Sequence, residues 1–242
     1  MAELEKLFEG AYNYLDKGVN YSQENFTVLK NTDKNILIYT SEILTRVSTG
    51  EFLKINVGYE VNSFWAPLKV VIHKTLGPNF ATETFIPDYE AQLLTYEFTN
   101  NDGTQTYSRN IVTRYQIATP AICSSMIVSM TKKFDSMSRN ACILVTTNNN
   151  WEYKNPFEDQ PIFIEYKTHE KTTLKLNGQD LSSVRCLVYQ HDSVHQSDLE
   201  VPTTFYISKN IGIPYLVESG DIKIQIRFLN KTKTSKVEDF FR

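Results

Sequence analysis

Glycine is scarce in this chain and never clustered: there are nine in 242 residues. Phosphate-cradling loops need glycines at close, fixed spacing, and neither GxxxxGK(S/T) nor GxGxxG occurs. There is no GxSxG nucleophile elbow and no HExxH, since His169-Glu170 runs on into Lys171-Thr172-Thr173 without a second histidine. The three cysteines, Cys123, Cys142 and Cys186, show no CxxC spacing, and an odd count offers no closed disulfide framework. No cofactor or metal signature is therefore present. No window approaches 18 uninterrupted apolar residues, which excludes an integral helical membrane span. Charge of one sign is also missing. A net charge of −3 gives no field that would draw nucleic acid or acidic lipid. The N-terminus carries Glu3, Glu5 and Glu9, where a secretory signal needs a basic start and an apolar centre. As written, the chain is expected in the cytoplasm. A chain that had lost a natural signal would look the same and would be periplasmic or secreted.

What the chain has in quantity is two-residue alternation. Ile222, Ile224, Ile226 and Phe228 interleave with Lys223, Gln225 and Arg227. Leu53, Ile55, Val57, Tyr59 and Val61 do the same against Lys54, Asn56, Gly58 and Glu60. Successive side chains of a strand point to opposite faces, so each such segment buries one face and wets the other. Strands are expected near 35–47, 52–63, 67–75, 81–86, 90–99, 105–118, 142–147, 162–168, 171–176, 183–191, 203–208, 213–217 and 221–229. Asn100-Asn101-Asp102-Gly103, Asn177-Gly178 and Ser219-Gly220-Asp221 supply residues that tolerate a positive φ, as tight hairpins need. Short connections give a meander, and no βαβ rhythm appears. The fold class is mainly β, an antiparallel, strongly curved sheet or half-open β-barrel.

Two helices are expected beside that sheet. Leu4, Leu7, Phe8, Ala11 and Leu15 fall at helical spacing with Gly18 as a stop, giving an N-terminal amphipathic helix over 1–18. Ile122, Met126, Ile127, Met130 and Phe134 give a second helix near 120–133, with Pro120 at its first turn. It could plug the concave side or line an entry to it, as a simple sheet-covering helix or as a lid. One β domain is expected over 19–230, followed by a basic and aromatic tail over 231–242. Trp151, Tyr153 and Phe157 lie in an irregular asparagine-rich loop; they either fold back on the sheet or form an exposed interaction patch.

A twisted sheet of about ten strands curls or closes, so it has a concave apolar face. A small barrel fills that face with side chains, whereas an open one leaves room for a ligand. The candidate ligand-pocket residues, chosen for size and alternation, are Tyr59, Trp65, Tyr96, Phe98, Tyr115 and Tyr166. Reactive groups are fewer. Cys123 would begin the second helix, where a thiolate is stabilised, but a nucleophile also needs one of His73, His169, His191 or His195 in reach. His191 and His195, with Asp192, Asp198 and Glu200, read as a polar loop and not as a fixed metal set.

The stretch from Lys171 to Asp180, then Val184-Arg185-Cys186-Leu187-Val188-Tyr189, Thr204 to Ser208, Ile213-Pro214-Tyr215 and Ile222 to Leu229 forms a distinctive order of turns and strands. Over roughly residues 160–230 it resembles the ending of bacterial DUF3108-like proteins, whose curved sheets are related in shape to the LolA/LolB lipoprotein-carrier fold. The resemblance implies a half-barrel that holds acyl chains or another apolar molecule, and it carries over no site residue. Three functions follow as expectations. The first is non-enzymatic binding or carriage of a lipid or other apolar small molecule. The second is a scaffold with a filled core and a protein partner. The third is an enzyme that uses the cavity as a reaction chamber, with Cys123 and a histidine, or Arg114 beside a buried carboxylate. Oligomeric state is not legible.

Overall fold

The computed structural model describes residues 4–111, 115–131, 139–147, 151–154, 156–176, 178–190, 202–208 and 211–232. The chain opens with β1 (Leu4–Asp16), β2 (Val19–Asn31), β3 (Ile36–Arg46) and β4 (Phe52–Val61). It continues through β5 (Pro67–Leu76), β6 (Asn79–Asp88), β7 (Leu93–Asn100) and β8 (Gly103–Asn110). A short β9 (Tyr115–Ile117) leads into two 3₁₀ turns, Ile122–Ser124 and Ile127–Thr131. The second half holds β10 (Arg139–Thr146), β11 (Glu158–Leu176), β12 (Gln179–Gln190), β13 (Thr203–Ser208), β14 (Pro214–Ser219) and β15 (Ile222–Lys231).

The fifteen strands of the described residues join one curved, unclosed sheet in the order β8-β7-β6-β5-β4-β3-β2-β1-β15-β14-β13-β12-β11-β10-β9. Every pairing is antiparallel except β9 with β10. Two meanders are thus sewn together where β1 pairs with β15, Tyr14 opposite Ile224 and Gly10 opposite Leu229. The sheet's two edges, β8 and β9, are neighbours in sequence. The two ends are tied by side chains: Arg109 on β8 makes a two-point ion pair with Asp159 on β11. β8 is polar and mostly exposed, whereas Gln116 and Ile117 of β9 are buried. That difference explains why the single strand expected over 105–118 is two strands at opposite edges.

Alternation puts one continuous apolar face inside the curve. The cross-strand row Tyr39, Tyr59, Val70, Phe85, Tyr96 runs over five strands, and all five side chains are buried. The expected meander and its turns match the observed sheet. Asn100 and Gly103 face each other across their turn, and Gly220 sits at φ +56 between β14 and β15.

The N-terminal helix is a strand. Residues 4–16 alternate Phe8, Gly10, Tyr12, Tyr14 toward the interior, and Gly18 with Lys17 forms a two-residue turn with both φ positive. A bulge between Lys6 and Phe8 places Leu7 and Phe8 side by side, both buried, and so mimics the doublet of a helix. β2 had no counterpart in the expected strands, because its inner row Ser22, Glu24, Phe26, Val28 begins with two polar residues. The helix expected at 120–133 is realised as the two 3₁₀ turns. The tail beyond Thr232 lies outside the described residues, as do Phe134, Arg114 and the His191–Glu200 set.

Gly10 distinguishes strand from helix experimentally. A Cβ there would meet Phe26 Cζ at 2.5 Å and the Phe228 carbonyl oxygen at 2.7 Å. Gly10→Ala is expected to cost about 1–3 kcal/mol through overpacking. In a helix the same change would gain about 1 kcal/mol. Urea denaturation midpoints give the sign directly.

Candidate functional site

The concave face is occupied by the chain itself. β9 and the two 3₁₀ turns lie against the inner face, where Ile117, Ala121, Ile122, Cys123, Met126 and Ile127 are all buried. Such a segment brings backbone amides that no strand pairs, and buried unpaired amides are costly. Side chains meet that need. Glu24 of β2 accepts hydrogen bonds from Ile122 N at 2.8 Å and Cys123 N at 3.3 Å. Tyr14 Oη at 2.5 Å and Ser41 Oγ at 2.6 Å donate to the same carboxylate. Gln116 completes the support, donating to Ser125 O at 2.6 Å and accepting from Val128 N at 2.9 Å. Tyr59 Oη accepts from Ile117 N at 3.3 Å.

Burial raises the Glu24 pKa above its ordinary 4.5, against the opposing pull of its four donors, of which Ser41 is the strongest. Burial also pushes the Cys123 thiol up, and the nearby Glu24 carboxylate adds to the effect. Its Sγ lies 3.0 Å from Ser41 Oγ. These surroundings favour the neutral thiol, the reverse of a nucleophile's requirement.

A second buried carboxylate, Glu83 of β6, performs a similar task at the other inner corner. It pairs with Lys74 Nζ at 3.4 Å and accepts from Tyr96 Oη at 3.2 Å and from Thr147 Oγ1. Thr147 opens the aromatic loop, which folds back on the sheet. Phe157 packs 5.4 Å from Tyr96 and 6.2 Å from Phe85, and Tyr153 lies 6.1 Å from Phe98, centroid to centroid. Asn100 Nδ2 donates to Trp151 O at 2.9 Å. These aromatics therefore close the interior.

Open space survives at one mouth of the barrel-like sheet. A cleft of about 440 Å³ is lined by Phe64, Trp65, Tyr89, Ile111, Tyr115 and Val128, among others. Its rim is built by the turn after β4. Asn62 Oδ1 accepts from Phe64 N and Ala66 N, and Trp65 is held at φ +65. Left-handed backbone is a strained state for a bulky aromatic residue, and strain of this kind clusters at binding sites. It turns Trp65 inward at 6% exposure and leaves Phe64 81% exposed. Opposite, Tyr89 Oη donates to Pro67 O at 2.7 Å, and the hydroxyls of Tyr89 and Tyr115 lie 3.3 Å apart. Burial, then the hydrogen bond to Tyr89, keeps Tyr115 protonated. On the far side of the second 3₁₀ turn lies a smaller pocket of about 190 Å³, which also touches Val128 and Thr131 and reaches Tyr166.

The six residues expected to line a pocket are thus divided. Trp65 and Tyr115 meet in the mouth cleft, and Tyr166 borders the smaller pocket. Tyr59, Tyr96 and Phe98 are packed in the interior. Phe64, Tyr89 and Val128 escaped the sequence reading because they sit in turns or short elements, where alternation is silent. Glu24 carried a signal, a carboxylate in phase with Phe26 and Val28, but it lay in a strand not read as one. Among the described residues no group of three His, Cys, Asp or Glu side chains is placed to hold a metal.

No protein-family model matches the chain, and no curated protein matches its sequence. Solved structures do. One is a β-barrel-like protein of the domain of unknown function DUF1849 from Brucella abortus, with a TM-score of 0.59 at 9% identity, covering 96% of this chain and 100% of that one. Another is a DUF1089 family protein from Pseudomonas aeruginosa, with a TM-score of 0.51 at 8% identity, covering 81% and 88%. They support the barrel-like fold and do not single out DUF3108 or LolA/LolB. No helix of the described residues is long and apolar enough to cross a membrane.

Two predictions follow from the interior. Because the folded-state pKa of Glu24 is raised, its proton-linked stability is full below about pH 4.5 and is lost as pH rises through the raised value. The stability of wild type relative to Glu24→Gln should therefore fall as pH climbs from 4.5, measured by urea melts; a rise would show that the four donors outweigh burial. The three buried cysteines should resist an aromatic disulfide reagent in the native protein and all react in denaturant. Fast native reaction of Cys123 would place it at a surface.

Proposed function

We propose that this protein is a non-enzymatic binder of a small apolar molecule, an acyl chain or an aromatic ring system, held at the mouth of the sheet and not along its concave face. The observation that carries this reading is the aromatic cleft of about 440 Å³, whose outermost wall, Phe64, is left 81% exposed by a strained turn. The volume is within the usual range of small-molecule sites, about 300–1,000 Å³. Tyr89 and Tyr115 add a hydroxyl pair that would orient a ligand's polar end. Covering a Phe side chain contributes about 1.5–3 kcal/mol, and each ligand methylene about 0.8 kcal/mol. The resemblance to DUF3108-like half-barrels supports an acyl chain as occupant. The scaffold reading loses its expected patch, since Tyr153 and Phe157 pack inward.

N-phenyl-1-naphthylamine, a neutral apolar fluorophore, provides the test. Its emission should rise and shift to the blue on titration, with saturation at one probe per chain. Phe64→Ala should weaken binding about tenfold, the equivalent of about 1.4 kcal/mol. Val128→Trp should abolish it, whereas Phe98→Leu, inside the packed core, should leave the affinity unchanged. Equal binding by all four proteins would sink the mouth as the site.

A further inference from the structure

The clean alternation Ile222, Ile224, Ile226, Phe228 does not survive in the structure. The register between β1 and β15 slips by one residue: Tyr12 faces Ile226, but Ala11 faces Phe228. Arg227 is the extra residue of a β-bulge, and bulges re-aim side chains. Ile226 is 2% exposed and points inward, while Phe228, 39% exposed, has been turned to the outer face. There it heads a single cross-strand row: Phe228, Ala11, Asn25, Glu42, Asn56, His73. Beside this row the outer face holds a depression of about 760 Å³ that these residues line, Ala11 excepted.

Four features set this depression apart from an ordinary wet sheet face. Gly58 stands in mid-strand, and a Cβ there would meet nothing within 4 Å, so no packing demand of the protein explains it. A strand glycine weakens the strand and is often found where another molecule approaches closely. Asn25 and Asn56 hold side-chain amides that make no hydrogen bond among the described residues. His73 is fixed by its Nδ1, 2.8 Å from Thr82 Oγ1, which presents the opposite ring edge. Finally, Glu42 binds Lys54 at 2.5 Å through Oε2 and keeps Oε1 as an acceptor.

From these features the geometry points to a second binding site, for a neutral oligosaccharide. Neighbouring strands place the amide, carboxylate and imidazole groups at intervals of about 4.8 Å. That is close to the width of a pyranose ring, and each interval offers both donors and acceptors to its hydroxyls. Phe228, whose ring has the Arg227 guanidinium 5.7 Å from its centroid on one face, supplies an apolar wall of the depression against which the C–H face of a sugar packs. The lining contains the carboxylates Glu9 and Glu42, which pair with Lys6 and Lys54, and no lysine or arginine of its own, so no unpaired cation lines it for a phosphate or sulfate group. The site is independent of the mouth cleft and shares no residue with it.

Saturation-transfer NMR with maltotriose, cellotriose, mannotriose and chitotriose tests the assignment on the full chain. At least one should receive saturation and bind with a millimolar or tighter Kd. Gly58→Val, whose Cβ would meet nothing within 4 Å and whose branches reach into the depression, should weaken that binding at least tenfold while the melting temperature holds or rises. Asn56→Ala, whose amide makes no hydrogen bond among the described residues, should weaken it at least fivefold. Phe64→Ala should leave it unchanged, which separates this site from the mouth. Absence of saturation transfer for all four sugars, or undiminished binding to Gly58→Val, would overturn the proposal.

Discussion

Glu24 is buried at the centre of the sheet's inner face and accepts four hydrogen bonds, two of them from backbone amides that belong to no strand. The rest of the interior depends on that arrangement. An inserted segment cannot enter an apolar cavity unless its amides are satisfied there, and each one left unpaired costs about 1–3 kcal/mol. With Ile122 and Cys123 held, Ile117, Ala121, Met126 and Ile127 fill the volume that the curved sheet encloses. Gln116 and Tyr59 repeat the solution for neighbouring groups. Glu83 applies it to the loop that opens at Thr147. Burial raises the pKa of Glu24, so the interior holds a carboxyl group under tension between desolvation and its donors.

Filling the interior decides where a ligand can go. A half-barrel with an empty concave face could sheathe a long acyl chain. Among the described residues, space is found where the plug meets the rim, at the mouth cleft and the small pocket behind the second 3₁₀ turn. The tied sheet ends, Arg109 with Asp159 and the Phe157 ring beneath the Arg109 guanidinium at 4.4 Å, act against widening of the structure. On the proposed reading, a ligand would be gripped at one end, with the remainder outside. The polar trough around Gly58 lies on the opposite face of the same strands, so one sheet presents two chemically distinct surfaces.

Much of the sheet was legible in the sequence, because a two-residue period is a direct consequence of strand geometry. β3, β4, β5, β13 and β15 follow their expected bounds to within about two residues. Failures occurred where the period is interrupted. In β1 a bulge paired Leu7 with Phe8 and produced a helical spacing, and in β15 a bulge turned Phe228 outward without altering the sequence pattern. Alternation assigns two faces but does not say whether the inner one is open. Hence Tyr59, Tyr96 and Phe98, chosen as ligand-pocket residues, are buried and pack against the protein itself. The cleft residues Phe64, Tyr89 and Val128 depend on turns and on chain segments distant in sequence, which no local pattern records.

The central claim is that residues 121–131 are an internal plug pinned by Glu24 and not a lid that opens. Native-state hydrogen exchange of the Ile122 and Cys123 amides tests it most directly. The plug requires both to exchange as slowly as the amides of β2 and β3, and to speed up selectively in Glu24→Gln while β13 and β14 keep their rates. Exchange of both amides at the rate of an exposed turn such as Gly50, with β2 and β3 still protected, would mean that the segment opens freely, and the account of a filled interior would be wrong.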